Sequence, residues 1–211
     1  MQNSEYLYLL WILLVFPICA LIYLIYVNAY KRYKEEFKVP IGSSFTVIVA
    51  KVGDGDGFKA MHVPLLRSKR IFNESGNVMK NLPLLTFRLA GVDAPEVAAF
   101  GKPAQPFSKE AKEFLKALVL YKKVSVKIVG KDRYNRLLAF VYVGSMCFKQ
   151  NVNRLLLKTG MACLYVGKDA KYGGRLVQLQ ADEKLAQSKK VGMWSRKDMV
   201  TPMAYKKLHR K

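Results

Sequence analysis

Residues 86–96 read Thr86-Phe-Arg88-Leu-Ala-Gly-Val-Asp93-Ala-Pro-Glu96. The first half sets an arginine among apolar neighbours, so on a strand the Arg88 side chain lies on the face opposite theirs. That face is either solvent or the mouth of a barrel beside the acids further along. Pro95 fixes the turn separating Asp93 from Glu96. An Asp-x-x-Glu loop carries little meaning alone, so the stretch must be read with its flanks.

Upstream, Ser43 to Val52 is rich in β-branched residues and ends at Gly53, the pattern of a strand. Val52-Gly-Asp54-Gly-Asp56-Gly-Phe58 comes next. Its glycines let the backbone approach an ion closely while the aspartates present carboxylates to it. The rival reading is a plain hairpin turn with solvated aspartates. A second strand is expected over Phe58 to Val63, then a long polar excursion over residues 64–82, and a third strand over Leu84 to Gly91.

Downstream, strands are expected over Val124–Val129 and Leu137–Val143. Between them lies Lys131-Asp132-Arg133-Tyr134-Asn135-Arg136, where Asn135 can supply a left-handed turn residue. Ser108 is expected to cap a helix running through Leu120, and two more helices are expected over Asn151–Lys158 and Leu176–Lys190. Five strands with a helix between the third and fourth, then two helices, is the element order of an oligonucleotide-binding barrel.

Composition narrows the chemistry. The 211 residues hold 36 Lys+Arg against 15 Asp+Glu, a net charge of +21 that favours polyanionic partners. Two histidines, His62 and His209, are too few for zinc hydrolases or histidine-metal nucleases. The three cysteines show no disulfide framework or zinc spacing and read as small buried hydrophobes.

The charge is absent from one region. Tyr6 to Tyr30 contains no charged residue, and at ~1.5 Å per residue it is long enough to cross a bilayer as a helix. Tyr6, Tyr8 and Trp11 at one end and Tyr26 and Tyr30 at the other match interfacial aromatic belts. Pro17 would kink such a helix. Lys31, Arg32 and Lys34 then put the rest of the chain on the positive-inside face. The organisation expected is a tail (1–5), a transmembrane helix (6–30), a basic linker (31–42), one domain (43–196) and a basic C-terminal tail (197–211).

Taken together, Asp-Gly-Asp at a strand start, Arg88-x-x-x-x-Asp93-x-Pro-Glu96 and Asp132-x-Tyr134-x-Arg136 resemble the staphylococcal nuclease (thermonuclease) family. Asn151-Val-Asn-Arg-Leu-Leu-Leu-Lys-Thr-Gly-Met-Ala162 and Gly192-Met-Trp194-Ser add to the likeness, which covers about Phe45 to Ser195. Gly-Val-Asp93-Ala-Pro-Glu96 with Phe100-Gly-Lys-Pro-Ala-Gln-Pro-Phe107-Ser resembles that family's fungal membrane-anchored mitochondrial endonucleases. The resemblance implies an oligonucleotide-binding barrel of five strands and three helices behind one transmembrane helix. It implies a nuclease acting on DNA and/or RNA, and no obligate protein partner is inferred. Asp56, Asp93 and the main-chain carbonyl of Ala94 would hold one Ca²⁺. Arg88, Glu96 and Arg136 would be catalytic, Glu96 as general base or water-positioning group. Tyr134 would contact a terminal phosphate and Tyr165 a base. Ala94 and Gly57 stand where the bacterial enzyme has threonine, and neither change removes a charged candidate. The alternatives are a barrel that binds nucleic acid without cutting it, and a scaffold whose basic surface meets anionic lipid.

Overall fold

The described part of the uncharged N-terminal stretch, from Leu10 on, forms helix, and its proline shapes the turn ahead of it. In the computed structural model a π-helical turn over Trp11–Val15 leads into α1, Phe16–Tyr30. Pro17 has no N–H to give, and its ring crowds the carbonyl four residues back, so a widened turn directly ahead relieves the clash. Trp11, Phe16 and Tyr23 are among many large apolar side chains exposed on this segment. Cys19, expected to be buried, is exposed here as well. α1 has 15 residues, and no helix among the described residues is long and apolar enough to cross a membrane. The structure describes residues 10–30, 32–64, 71, 81–98, 101–145 and 148–209. Tyr6, Tyr8, Lys31, Cys147 and most of the polar excursion therefore lie outside it. Contacts divide the chain into two units, residues 1–32 with 63–69 and residues 33–62 with 70–211.

The second unit is built on β1 (Ser44–Val52), β2 (Gly57–Val63), β3 (Leu84–Leu89), β5 (Lys123–Lys131) and β6 (Leu137–Val143), with short strands β4 (Val92–Asp93), β7 (Gln150–Asn151) and β8 (Cys163–Leu164). The sheet order is β3-β2-β1-β5-β6-β7, and a further pairing of β3 with β6 closes five strands into a barrel. That closing pair is parallel, with Phe87 opposite Leu137 and Arg88 opposite Leu138. The other pairings described are antiparallel, and β4 pairs with β8.

Alternation explains the interior. Leu85, Phe87 and Leu89 on β3 are buried while Thr86 and Arg88 between them are half-buried. The Phe58 and Phe87 rings stack at 5.1 Å across the core. Side chains of this kind, wholly removed from water, each stabilise the fold by about 1.5–3 kcal/mol. Helix α2 (Ser108–Val119) buries Ala111, Leu115 and Val119 along one stripe. Phe107, at φ 66°, holds its N-cap position and no side chain caps it, so Ser108 does not play the capping part expected of it. Asn151 does cap α3 (Val152–Lys158), its side chain accepting from the Arg154 N–H. Helix α4 (Leu176–Ser188) packs against α3.

Two further features depart from the sequence expectations. The third strand stops at Leu89, because Gly91, at φ +72°, turns the chain into β4. A further helix, α5 (Pro202–Leu208), comes after the barrel, started by Thr201 at the N-cap and Pro202 in the first turn.

Candidate active site

Asp54, Gly55 and Asp56 form the turn between β1 and β2. A Cβ at Gly55 would fall 2.7 Å from that of Ala94 and 2.9 Å from that of Ala111, so only glycine lets the turn seat this deeply. Gly57 pairs with Arg88 across the sheet, which brings Arg88 beside Asp56. One Arg88 nitrogen, Nη2, donates to Asp56 Oδ2 at 3.1 Å and to Asp93 Oδ1 at 2.5 Å. The exposed-or-barrel-mouth alternative for Arg88 thus resolves toward the mouth. Its guanidinium also lies 5.2 Å from the centre of the Tyr165 ring.

Three acids crowd this spot. Asp93 is 1% exposed and Asp56 6% exposed. Burial, and then the neighbouring Asp56 charge, push the Asp93 carboxyl up to about 6, although Lys206 and Arg88 pull the other way. Burial, with the Asp56 charge second, likewise pushes Asp54 up to about 6. Burial works against the Arg88 charge, yet Asp56 and Asp93 raise its pKa above the ordinary value. Asp54 Oδ1 is buried with no hydrogen-bond partner among the described residues. Among the described residues no three His, Cys, Asp or Glu side chains form a ready-made metal cage. The donors present are instead two carboxylates and an adjoining backbone, with Ala94 buried and its N–H 3.5 Å from Asp56 Oδ2. An all-oxygen set beside the orphaned buried oxygen of Asp54 fits a hard cation that keeps waters of its own.

The third motif folds as a tight turn. Asn135 takes φ 61°, as expected. Asp132 Oδ1 accepts from the backbone N–H groups of Tyr134 and Arg136, both at 2.9 Å, and its Oδ2 accepts from Arg136 Nε at 2.7 Å. Among the described residues the Arg136 side chain hydrogen-bonds through Nε alone, leaving its terminal N–H groups for another acceptor. Tyr134 is 66% exposed beside it.

Glu96 completes the rim. Its backbone N–H donates to Gln105 Oε1 at 3.1 Å, and its carbonyl accepts from the Gln105 N–H at 2.8 Å. Its carboxylate meets Lys206 Nζ at 2.8 Å, and the same ammonium lies 3.2 Å from Asp93 Oδ1. Arg88, Asp93, Glu96, Arg136, Tyr134 and Tyr165 all line one cleft of about 630 Å³.

The description "Staphylococcal nuclease homologue" matches residues 86–196, more than half of the chain. "Endonuclease Htp3" of Saprolegnia parasitica is 41% identical over 160 residues, covering 75% of this chain and 74% of that protein. This chain belongs to the staphylococcal nuclease homologue family. "Probable endonuclease lcl3" of Sclerotinia sclerotiorum is 41% identical over 169 residues, 75% of this chain and 63% of that relative's length. "Probable endonuclease LCL3" of Nakaseomyces delphensis is 34% identical over 196 residues, 75% and 76% respectively.

Within this staphylococcal nuclease homologue every candidate site residue from the sequence lines the cleft except Ala94, which is buried behind it next to Asp56. Four that matter there are absent from the site residues that the family resemblance assigns. Asp54 and Asp132 sit inside the motifs, where turn formation already accounts for them. Gln105 is a buried glutamine in a proline-rich loop, a position with no sequence signal. Lys206 lies beyond the family match, and the only hint is Thr201-Pro202, a helix-start pair.

Proposed function

We propose that the chain is a membrane-anchored, Ca²⁺-dependent endonuclease that hydrolyses phosphodiester bonds in DNA and/or RNA. The observation that carries the reading is the convergence of Arg88, Arg136, Asp56, Asp93 and Glu96 on one cleft from separate parts of the sequence. A binding module needs basic residues, not carboxylates buried at the expense of their charge.

Asp56, Asp93 and the Ala94 carbonyl would hold the cation. Bound there, Ca²⁺ would neutralise a phosphate oxygen and orient water. Arg136 offers its terminal N–H groups to two phosphoryl oxygens, with Asp132 fixing the fork, and Arg88 adds donors from the barrel mouth. These charges stabilise the negative charge that builds at phosphorus during in-line attack. Glu96, half-exposed at the rim, accepts the proton of the attacking water. Tyr134 contacts a terminal phosphate, and Tyr165 offers part of its face to a base.

The anchor is residues 6–30. Its support is the absence of charge and the run of exposed large apolar side chains from Leu10 to Tyr26, which water does not favour. The basic flank at Lys31, Arg32 and Lys34 would leave the nuclease domain on the positive-inside face, and the family resemblance points to the mitochondrion.

The deciding experiment is cleavage of labelled DNA and RNA by the full-length protein in detergent. Cutting with Ca²⁺ and arrest by chelator are expected. Nucleic acid bound but uncut in Ca²⁺ would establish the binding-only alternative. Resistance of the full chain to carbonate extraction tests the anchor, and release as a soluble species rejects it.

A further inference from the structure

We propose that Lys206 is a positioning residue of the active site, delivered by a helix beyond residues 86–196 that the family description matches, and that it holds the Glu96 carboxylate in register with Asp93. The inference rests on the nuclease reading, in which Glu96 handles the proton of the attacking water.

Three observations carry it. Lys206 is the only side chain among the described residues that pairs with the Glu96 carboxylate. Without it a half-exposed glutamate on a loop has several rotamers open to it, and only some present the carboxylate to the cleft. Second, the ammonium bridges Glu96 and Asp93, two like charges on one cleft, and so offsets the repulsion that would drive the Glu96 arm outward.

Third, the helix that carries Lys206 is tied to the same loop as Glu96. Gln105, 4% exposed, receives the Glu96 N–H and donates from Nε2 to the Val200 carbonyl at 2.6 Å. Tyr205 donates its hydroxyl to the Pro103 carbonyl at 3.1 Å, and Pro202 is buried. One glutamine therefore sets the spacing between the loop bearing the carboxylate and the helix bearing its partner.

The test compares Lys206→Met, which keeps an apolar stem without the charge, with Lys206→Arg in the detergent-solubilised full chain. Steady-state cleavage of a labelled oligonucleotide gives kcat and KM, and titration calorimetry gives Ca²⁺ affinity without turnover. Misplacing a reacting group costs on the order of 10- to 100-fold. Lys206→Met should lose kcat by that factor with KM within about twofold, since the lost interaction serves the transition state. Ca²⁺ should bind as well or better, because a competing positive charge has left Asp93. Lys206→Arg should recover most of kcat. A Lys206→Met protein that cuts at the parental rate overturns the inference. Faster cutting at limiting Ca²⁺ does so too, and would make the lysine a plug that the cation must displace. If Lys206→Met unfolds, Lys206→Arg decides: a folded Arg variant with a kcat near zero contradicts charge positioning. A parent that cuts only with Ca²⁺ while Lys206→Met matches it sinks this inference alone, whereas a parent that never cuts sinks the nuclease reading with it.

Discussion

Two of the polar clusters buried in the second unit are treated in opposite ways. Asn153, at 0% exposure on α3, has its amide fully engaged: Oδ1 accepts from the Val141 N–H, and Nδ2 donates to the Ala90 and Ala139 carbonyls. At the cleft, Asp54 keeps an unpartnered buried oxygen among the described residues, and two carboxyls are pushed up to about 6. Burying a polar group is tolerable only when its bonds are replaced. The first cluster meets that condition and joins α3 to the segment after β3 and to β6. The second leaves it unmet, as a site does when a ligand is to supply the missing partner.

The sharpest way to separate the two is to remove a function-side group that supports no packing. Glu96→Gln should lower kcat by roughly 10²- to 10⁴-fold with an unchanged melting temperature. Cleavage at parental rate would show that the general base lies elsewhere. Arg136→Ala should cost about 10²- to 10³-fold, read in the same assay.

Asn153→Leu should do the reverse. It strands the Val141 N–H and the Ala90 carbonyl, while Ala139 still receives the Ala90 N–H. The expected loss is about 2–4 kcal/mol in denaturant unfolding, with activity per folded molecule retained. If stability is unaffected, the contrast between the clusters fails.

Asp54→Asn should raise stability measured in chelator by about 1–2 kcal/mol, since it removes a charge that burial and Asp56 disfavour. It should weaken Ca²⁺ binding in the same protein. Equal melting temperatures with and without the substitution would mean the carboxyl is not strained.

The same strain should show in the dependence on pH. Asp54 and Asp93 have folded pKa values near 6, above the ordinary 3.8, so the folded state binds more protons than the unfolded one between those values. Stability in chelator should therefore fall as pH rises from about 4 through 6 and level off above. Ca²⁺ affinity should run the other way, weakening as pH drops through 6 because the ligands must shed protons. Calorimetry in two buffers of different ionisation enthalpy would detect the released protons.

Legibility in the sequence depends on how local each determinant is. β6 is legible to the residue because Leu137–Val143 is an apolar run that begins just past the left-handed Asn135. Thr201-Pro202 carries a helix start with no apolar run behind it, so the short α5 leaves little trace. The capping expectation at Ser108 fails because Phe107 reaches the N-cap through a left-handed backbone that sequence gives no reason to assign to phenylalanine. The site divides along the same line. The family resemblance that the motifs carry brings out Asp56, Asp93, Glu96 and both arginines, but the face taken by Arg88 depends on strand pairings made with residues distant in the chain. Lys206 depends on a docking held by Gln105, and no periodicity records that.

The parallel seam between β3 and β6 also governs when a newly folding molecule can act. It joins Phe87 to Leu137, fifty positions apart, and Arg88 and Arg136 become neighbours only through it. Contacts so distant are late and entropically costly to make. Helices and hairpins could assemble first, yet the two guanidinium groups would still be strangers, and a refolding experiment should recover helical signal ahead of strand-cutting competence.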